Sequence, residues 1–321
     1  MDGLPSAQPG MLFPESCIME ASHKKPAERI IKSEKENETI MFSKLGSIRT
    51  FVILTNLLFW VLFSITGLTV FLETPEIVQT VMKNICAWSS TIVLLIWFKK
   101  FYPNETLKGY LRRQFQKTTF QNFAIPTLIQ ILLVTLATVI FFYVNGEPLG
   151  NIKLIKISAV FPMLLIFITS GPMGEELGWR GFALNEFQKK YSPLVSALFI
   201  GVLWGFWHFP LWLITGFAGY DLLLYSASFM LGIVSFSVFL TYFYNKKKNI
   251  VVAVWMHFLF NVLLQIVIIE DYKFILLLST LYLISSVCIV LIKRKEMFSV
   301  QPQETKQSLQ PELGGLAALK N

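Results

Sequence analysis

Long apolar runs dominate this sequence and restrict it to one class of fold. Of the 321 residues, 54% are hydrophobic and 15% are charged, and apolar runs of about 20 residues recur along the chain. A run of that length crosses the hydrocarbon core of a bilayer as an α-helix. The sequence therefore predicts an all-α polytopic membrane protein with about eight transmembrane helices. The predicted spans are 49–72, 77–98, 122–144, 153–170, 193–216, 221–243, 250–269 and 274–292.

The basic residues are concentrated in alternate loops of this eight-span arrangement. Loops rich in Lys and Arg are retained in the cytoplasm, which predicts a multi-pass protein of the cell membrane with both termini cytoplasmic. The net charge of +8 is then a topology signal, and no nucleic-acid partner is expected. Membrane lipids are the expected partners of these spans. The basic loops are 99–117, 189–190, 246–248 and 293–295.

Polar tails flank the predicted membrane domain. Residues 1–46 combine mixed charge with little periodicity, which predicts a mobile cytoplasmic tail. Residues 47–295 hold the eight spans, and residues 296–321 form a polar C-terminal tail. The three cysteines are scattered and odd in number, so they indicate neither a disulfide framework nor a cysteine-based metal site.

Three charges lie close together among the apolar stretches, in the segment that runs from Gly171 to Gly181. A charge near the bilayer centre costs about 2.5–3.5 kcal/mol on insertion scales, so such a cluster must pair internally or do chemistry. Pro172 can open a helix, and Glu176 and Arg180 are then four residues apart on one face. Glu175 lies about 100° around that helix. We therefore interpret Glu176 and Arg180 as an orienting ion pair and Glu175 as pointing into a site. A solvated amphipathic helix at the membrane surface is the alternative.

Two histidines lie in the membrane region, and each has a polar or aromatic residue four positions away on the same helical face. Trp204 precedes His208 by four residues, and Asn261 follows His257 by four residues. A single buried histidine is more often a packing residue. Polar groups within a membrane, however, are stabilised by bonding one another, so the two histidines and the charged segment are predicted to share one cavity. Glu175 as a general base, His208 as a second proton carrier and two hydrogen-bond donors could activate water against a carbonyl and stabilise the oxyanion.

The same residues leave the question of a cofactor open. Two histidines and one glutamate match a known catalytic zinc set, so Glu175, His208 and His257 could hold zinc. The helical His-Glu-x-x-His arrangement is missing from the sequence. A metal-free mechanism, in which Glu175 deprotonates water directly, is equally compatible with the pattern.

Three motifs in this order resemble the CPBP family, which includes CAAX prenyl proteases and bacterial proteins of bacteriocin processing and self-immunity. The motifs are Glu175-Glu176-x-x-x-Arg180, Trp204-x-x-x-His208 and His257-x-x-x-Asn261, and the resemblance covers about residues 160–265. It implies an intramembrane endopeptidase with a peptide or prenylated-protein substrate as partner, in which Glu175 and His208 activate water. His257 and Asn261 would hold the oxyanion, and Glu176 and Arg180 would support the site. Trp204 stands where the family usually has Phe, and the context of the first two motifs resembles the bacterial branch.

Two further functions compete with proteolysis of a membrane-associated or lipidated peptide. One is a non-catalytic bacteriocin-immunity or assembly factor that binds a peptide through the same cavity. The other is a transporter or proton pathway, but the repeated pair of broken helices that transporters often show is not found. Because Lys189 and Lys190 follow the Glu-Glu segment, a protease is expected to cut near the cytoplasmic side.

Overall fold

The described residues are almost entirely helical. The computed structural model describes residues 26–269 and 271–300, with side chains from residue 46 onward. Apart from one 3-10 turn, one π-helix and two isolated β-bridges, the described elements are α-helices. They are α1 (Pro26–Phe71), α2 (Glu76–Ala87), α3 (Ser89–Ile96), α4 (Phe98–Phe101), α5 (Leu107–Gln114), α6 (Gln121–Val144), α7 (Ile157–Thr169), α8 (Pro172–Glu176), the π-helix (Leu177–Leu184), α9 (Asn185–Gln188), α10 (Pro193–Trp207), α11 (Phe209–Trp212), α12 (Gly219–Asn245), α13 (Ile250–Ile266), α14 (Tyr272–Ile292) and α15 (Arg294–Phe298).

The chain divides into two units, residues 1–45 and 46–321. Of the first unit, the structure describes residues 26–45, which are helical. The rest of the predicted N-terminal tail and residues 301–321 of the predicted C-terminal tail lie outside the described residues. All that follows concerns the second unit.

The predicted polytopic all-α fold is confirmed. Within the described chain, five helical stretches are long and apolar enough to cross a membrane, and α10 and α13 are shorter apolar helices. The five stretches are Gly46–Phe71, Gln121–Val144, Ile157–Gln188, Gly219–Asn245 and Tyr272–Ile292.

The predicted second span, residues 77–98, is not one helix. The chain breaks at Trp88 and again at Trp97, which gives α2, α3 and α4. Trp88 donates its indole N–H to the carbonyl of Thr169 at 2.7 Å, at the end of α7. The first break therefore coincides with a contact between two residues that are 81 positions apart. Hydropathy along the chain does not predict such a contact.

The loops gather at two ends of the bundle. At one end, which we call the basic face, Lys246 pairs with Glu296 at 2.6 Å and the amides of Gln188 and Asn245 bond each other at 2.7 Å. At the other end, which we call the opposite face, Leu154 and Val267 form a β-bridge. The loops that the sequence assigns alternately to two sides of the membrane therefore contact one another at two separate ends of the bundle.

Helix α3 packs directly on the Glu-Glu segment because that segment presents glycines to it. The Ser90 hydroxyl donates to the carbonyls of Gly174 and Glu175, at 3.2 and 3.1 Å. A Cβ at Gly178 would lie 2.7 Å from the Ser90 Cβ and 2.8 Å from its backbone carbonyl carbon. Small residues spaced by four allow this close approach between membrane helices, and it fixes the position of the two glutamates.

We expect Gly178→Ala to destabilise the protein by about 1–3 kcal/mol, since the added methyl overlaps the backbone of α3. Gly67→Ala is the matched control, because a Cβ at Gly67 in α1 would meet nothing within 4 Å. Thermal unfolding of the purified proteins in one detergent measures the difference. Equal stability of the two variants would show that α3 does not pack against Gly178 as closely as described.

Candidate active site

The backbone of the Glu-Glu segment changes its helical form at the charged residues. Helix α7 ends at Thr169, and Pro172 opens α8 in its first turn, as the sequence predicts. From Leu177 to Leu184 the chain is then a π-helix, which the sequence does not predict. Single π-turns inside α-helices occur frequently at functional sites. The wider turn here includes Arg180, whose side chain points into the interior.

Glu176 is bonded by two partners through one oxygen. Its Oε1 lies 3.1 Å from Nη1 of Arg180 and accepts from Nδ1 of His257 at 2.8 Å. Both members of the Glu176–Arg180 pair are fully buried, so the pair lies where the four-residue spacing predicts. The sequence does not predict that His257 shares the same carboxylate.

Trp204 connects the charged groups of the site. Its indole N–H donates to Oε2 of Glu175 at 2.6 Å, and the Arg180 guanidinium lies over its ring at 4.0 Å from the centroid. The rings of His208 and His257 lie 5.6 and 5.1 Å from the Trp204 ring. The sequence analysis places Trp204 on the same helical face as His208. The structure adds a hydrogen bond to Glu175 that phenylalanine could not make.

Glu175, Asn261 and His257 converge on the space above Gly171. A Cβ at Gly171 would lie 3.3 Å from Oε1 of Glu175, 3.5 Å from Nδ2 of Asn261 and 3.9 Å from Nε2 of His257. Glu175 is 4% exposed, and its Oε2 is already bonded, so Oε1 is the oxygen that faces this space. This space is therefore surrounded by one carboxylate oxygen, one amide nitrogen and one imidazole nitrogen, and it is about the size of a methyl group.

His208 lies at the end of α10, beside the same cavity. Its Nδ1 is 2.7 Å from the carbonyl of Trp204. A carbonyl only accepts, so this nitrogen carries the hydrogen and Nε2 of the neutral ring has a free lone pair. The rings of Trp207 and Phe229 pack against the imidazole at 4.6 and 5.3 Å. His208 is thus held in the orientation that a proton acceptor requires.

A cavity of about 360 Å³ brings the two predicted motif histidines together. His208, His257, Asn261 and Trp204 line it, together with mainly apolar and aromatic side chains of α12, α13 and α14. Glu175, Glu176 and Arg180 do not line this cavity. Glu175 lies beside the cavity, because it is bonded to the lining residue Trp204 and its free oxygen faces the space above Gly171.

The residues predicted as a zinc set are not arranged as metal ligands. Among the described residues, no group of three His, Cys, Asp or Glu side chains could hold a metal ion. The donor set in this arrangement does not fit zinc, and we derive no step through a metal.

We expect Arg180→Leu to cost about 3–5 kcal/mol of stability, because removing one member of a buried pair leaves the other charge uncompensated. Arg113→Leu is the control, since Arg113 pairs with Glu105 at 2.7 Å but its side chain is 56% exposed. A surface pair contributes about 0–1 kcal/mol. Thermal unfolding in detergent compares the two, and an equally small loss in both variants would contradict the buried pair.

Comparison with known proteins identifies the domain that contains this site. Residues 157–263 match the family of type II CAAX prenyl endopeptidases described as Rce1-like. The chain is also 27% identical over 220 residues to a CAAX prenyl protease 2 of Methanococcus maripaludis, which covers 64% of this chain and 79% of that protein. The resemblance drawn from the three motifs is confirmed for residues 157–263, about a third of the chain, which match this family. All seven predicted site residues lie within the matched stretch.

Proposed function

We propose that this protein is an intramembrane endopeptidase that hydrolyses a peptide bond of a membrane-associated or lipidated peptide, with water activated by Glu175 and His208. The family match supports endopeptidase activity in general. The observation that carries the mechanism is the convergence of Glu175, His257 and Asn261 on the space above Gly171. A peptide carbonyl in that space would have a base on one side and hydrogen-bond donors on the other.

The reaction begins with a water molecule beside Oε1 of Glu175. Glu175 takes a proton from the water, and the oxygen attacks the carbonyl carbon of the substrate. Trp204 holds the other carboxylate oxygen at 2.6 Å, so the free oxygen keeps one direction. The proton then passes to the nitrogen of the leaving amine, either from Glu175 or through Nε2 of His208. The peptide bond breaks, and a carboxylate and an amine result.

The negative charge that develops on the carbonyl oxygen is stabilised by two side chains. Asn261 presents its amide nitrogen to the space above Gly171. His257 is bonded through Nδ1 to the Glu176 carboxylate, so its ring is oriented with Nε2 beside the same space, and an imidazole that carries hydrogens on both nitrogens donates from Nε2 as well. Donors that are already oriented before the reaction are the largest single contribution in many acyl-transfer enzymes.

Glu176 and Arg180 orient the site without contacting the substrate. Arg180 neutralises Glu176, lies over the Trp204 ring and is fully buried. The Trp204 indole is therefore packed between the guanidinium and the Glu175 carboxylate. The aromatic lining of the cavity suits an apolar side chain or a lipid chain, which agrees with a peptide or prenylated-protein substrate.

We expect Glu175→Gln to lower the rate of peptide cleavage by about 10²–10⁴, the range for loss of a general base. Glu186→Gln is the matched control, since Glu186 is also buried but bonds Tyr102 and Lys189 instead. Cleavage of quenched prenyl-peptides and leader peptides in nanodiscs provides the measurement. Full activity of Glu175→Gln would refute the mechanism.

The same assay with a strong chelator tests the absence of a metal step. We expect cleavage to persist. Activity that disappears with chelator and returns with zinc would instead assign Glu175, His208 and His257 as ligands, against the arrangement described above. Cellular function that survives both Glu175→Gln and His208→Ala in a folded protein would favour the non-catalytic immunity or assembly factor.

We expect Trp204→Phe to lower kcat about 10–100-fold, because it removes a hydrogen bond to a charged group worth roughly 1.5–3 kcal/mol. Trp207→Phe is the control. Trp207 is equally buried and loses a comparable indole bond, to Ser89 at 3.1 Å, but it does not contact Glu175. Equal kcat values for the two variants would show that the bond to Glu175 does not contribute.

A further inference from the structure

We propose that Asn185 is a positioning residue of the site: its side chain keeps residues 177–184 in the π-helical form and thereby holds the Glu175 carboxylate in the orientation that hydrolysis requires. The effect acts through Arg180 and Trp204. Its consequence for hydrolysis rests on the proposed function, but its consequence for the geometry of the site can be measured without a substrate. Asn185 follows the π-helix directly and is not among the residues that the sequence motifs indicate.

The end of the π-helix requires a hydrogen-bond donor from outside the regular backbone pattern. A carbonyl in a π-helix accepts from the N–H five residues later, whereas a carbonyl in an α-helix accepts from the N–H four residues later. Where Leu177–Leu184 ends and α9 begins, the spacing changes from five to four, so one carbonyl near the junction has no backbone donor. A buried carbonyl without a donor is destabilising. The junction is therefore favoured where a side chain donates to that carbonyl.

The side chain of Asn185 supplies such a donor. Its amide nitrogen donates one hydrogen to the carbonyl of Gly181, within the π-helix, at 2.9 Å. It donates the other to the hydroxyl of Tyr244 in α12 at 2.8 Å, and Tyr244 is fully buried. Both amide hydrogens are therefore bonded, and Tyr244 fixes the direction of the bond to Gly181.

Close packing around Gly181 keeps this part of the backbone in place. A Cβ at Gly181 would lie 3.0 Å from the Tyr110 hydroxyl and 3.3 Å from Oε1 of Gln114, both on α5. The Tyr244 hydroxyl donates to the same Gln114 oxygen at 3.5 Å. Side chains of α5, α9 and α12 thus surround one residue of the π-helix, and the Asn185 amide bonds its carbonyl.

The position of Arg180 depends on the form of this helix, because its guanidinium has few bonds of its own. Among the described residues, Nη1 bonds Glu176 at 3.1 Å, while Nε and Nη2 have no hydrogen-bond partner. A π-turn contains one residue more than an α-turn, so a return to the α-form would rotate the later residues of the segment by up to about 100° relative to Glu176. The guanidinium would then no longer lie over the Trp204 ring, where it is 4.0 Å from the centroid.

Trp204 connects this change to the reactive carboxylate. Its indole N–H donates to Oε2 of Glu175 at 2.6 Å, and the guanidinium covers the same ring. Without the guanidinium the indole can turn, and Oε1 of Glu175 then loses its fixed direction towards the space above Gly171. Asn185 does not line the cavity, so binding of the substrate should remain. The expected result of losing the Asn185 donor is therefore a lower kcat with an unchanged KM.

Two substitutions of nearly the same shape test the donor. Asn185→Thr retains a hydroxyl that can donate to the carbonyl four residues earlier, as Thr50 and Thr138 do elsewhere in the chain. Asn185→Val replaces this hydroxyl with a methyl group. Asn56→Val is the matched control, because the half-buried Asn56 amide donates to the carbonyl of Val52, also four residues earlier, at 2.8 Å but in a regular α-helix. Asn185→Ser and Asn185→Ala replace the pair if Asn185→Val does not fold.

The indole N–H of Trp204 reports on the geometry of the site without any substrate. Its ¹H–¹⁵N signal in detergent is identified by its absence from Trp204→Phe. We expect this signal to keep its wild-type position in Asn185→Thr and in Asn56→Val and to shift in Asn185→Val, because only there is the bond to Glu175 altered. A shift in both Asn185 variants, a shift in neither, or an equal shift in Asn56→Val would overturn the proposal.

Kinetics then test the consequence for hydrolysis. We expect kcat of Asn185→Val to be roughly 10–100-fold below that of Asn185→Thr, because a displacement of about 1 Å at the reacting groups can cost this much, and we expect KM to be the same in both. A merely structural role would lower the thermal stability of Asn185→Val but leave the kcat of the folded protein and the indole signal unchanged. Equal kcat values would overturn the positioning role. If the wild type cleaves no peptide, the proposed function fails, and the indole signal still decides whether Asn185 holds the site.

Discussion

The arrangement of the site depends on the burial of one carboxylate. Glu176 lies in an apolar helical bundle with no exposed surface, and its Oε1 binds both Arg180 and His257. Charges in such surroundings are tolerated only when their partners are held in place. The π-helix carries Arg180 back towards Glu176, and α13 brings His257 to the same oxygen. The need to neutralise Glu176 thus joins two membrane helices at the point where the proposed chemistry occurs.

Trp204 extends this constraint to the reactive carboxylate. The guanidinium over its ring and the hydrogen bond from its indole to Glu175 place one aromatic side chain between the supporting pair and the base. His208 follows on the same helix and bonds the Trp204 carbonyl. Trp204 therefore contacts Glu175, His208 and His257, and His257 is in addition bonded to Glu176.

The bundle is asymmetric about this centre. Towards the basic face, aromatic rings and buried hydrogen bonds fill the space around Arg180 and Tyr244. Towards the opposite face, a cavity of about 360 Å³ extends from His208 and His257 to the end of α13. Packed side chains thus lie on one side of the site and the cavity on the other, and the asymmetry arises from side chains that are distant in the sequence.

The sequence by itself determined the fold class, the grouping of the loops and the pairing of Glu176 with Arg180, because hydropathy and helical periodicity act within about 20 neighbouring residues. It also indicated the side chains of the candidate site through the cost of polar groups in lipid. Only the tertiary structure decided the break at Trp88, the π-helix, the bond from Trp204 to Glu175 and the position of the cavity between α12, α13 and α14. Each of these depends on contacts between residues far apart in the chain, as with Trp88 and Thr169 or Trp204 and Glu175. No local sequence pattern predicts contacts between such distant residues.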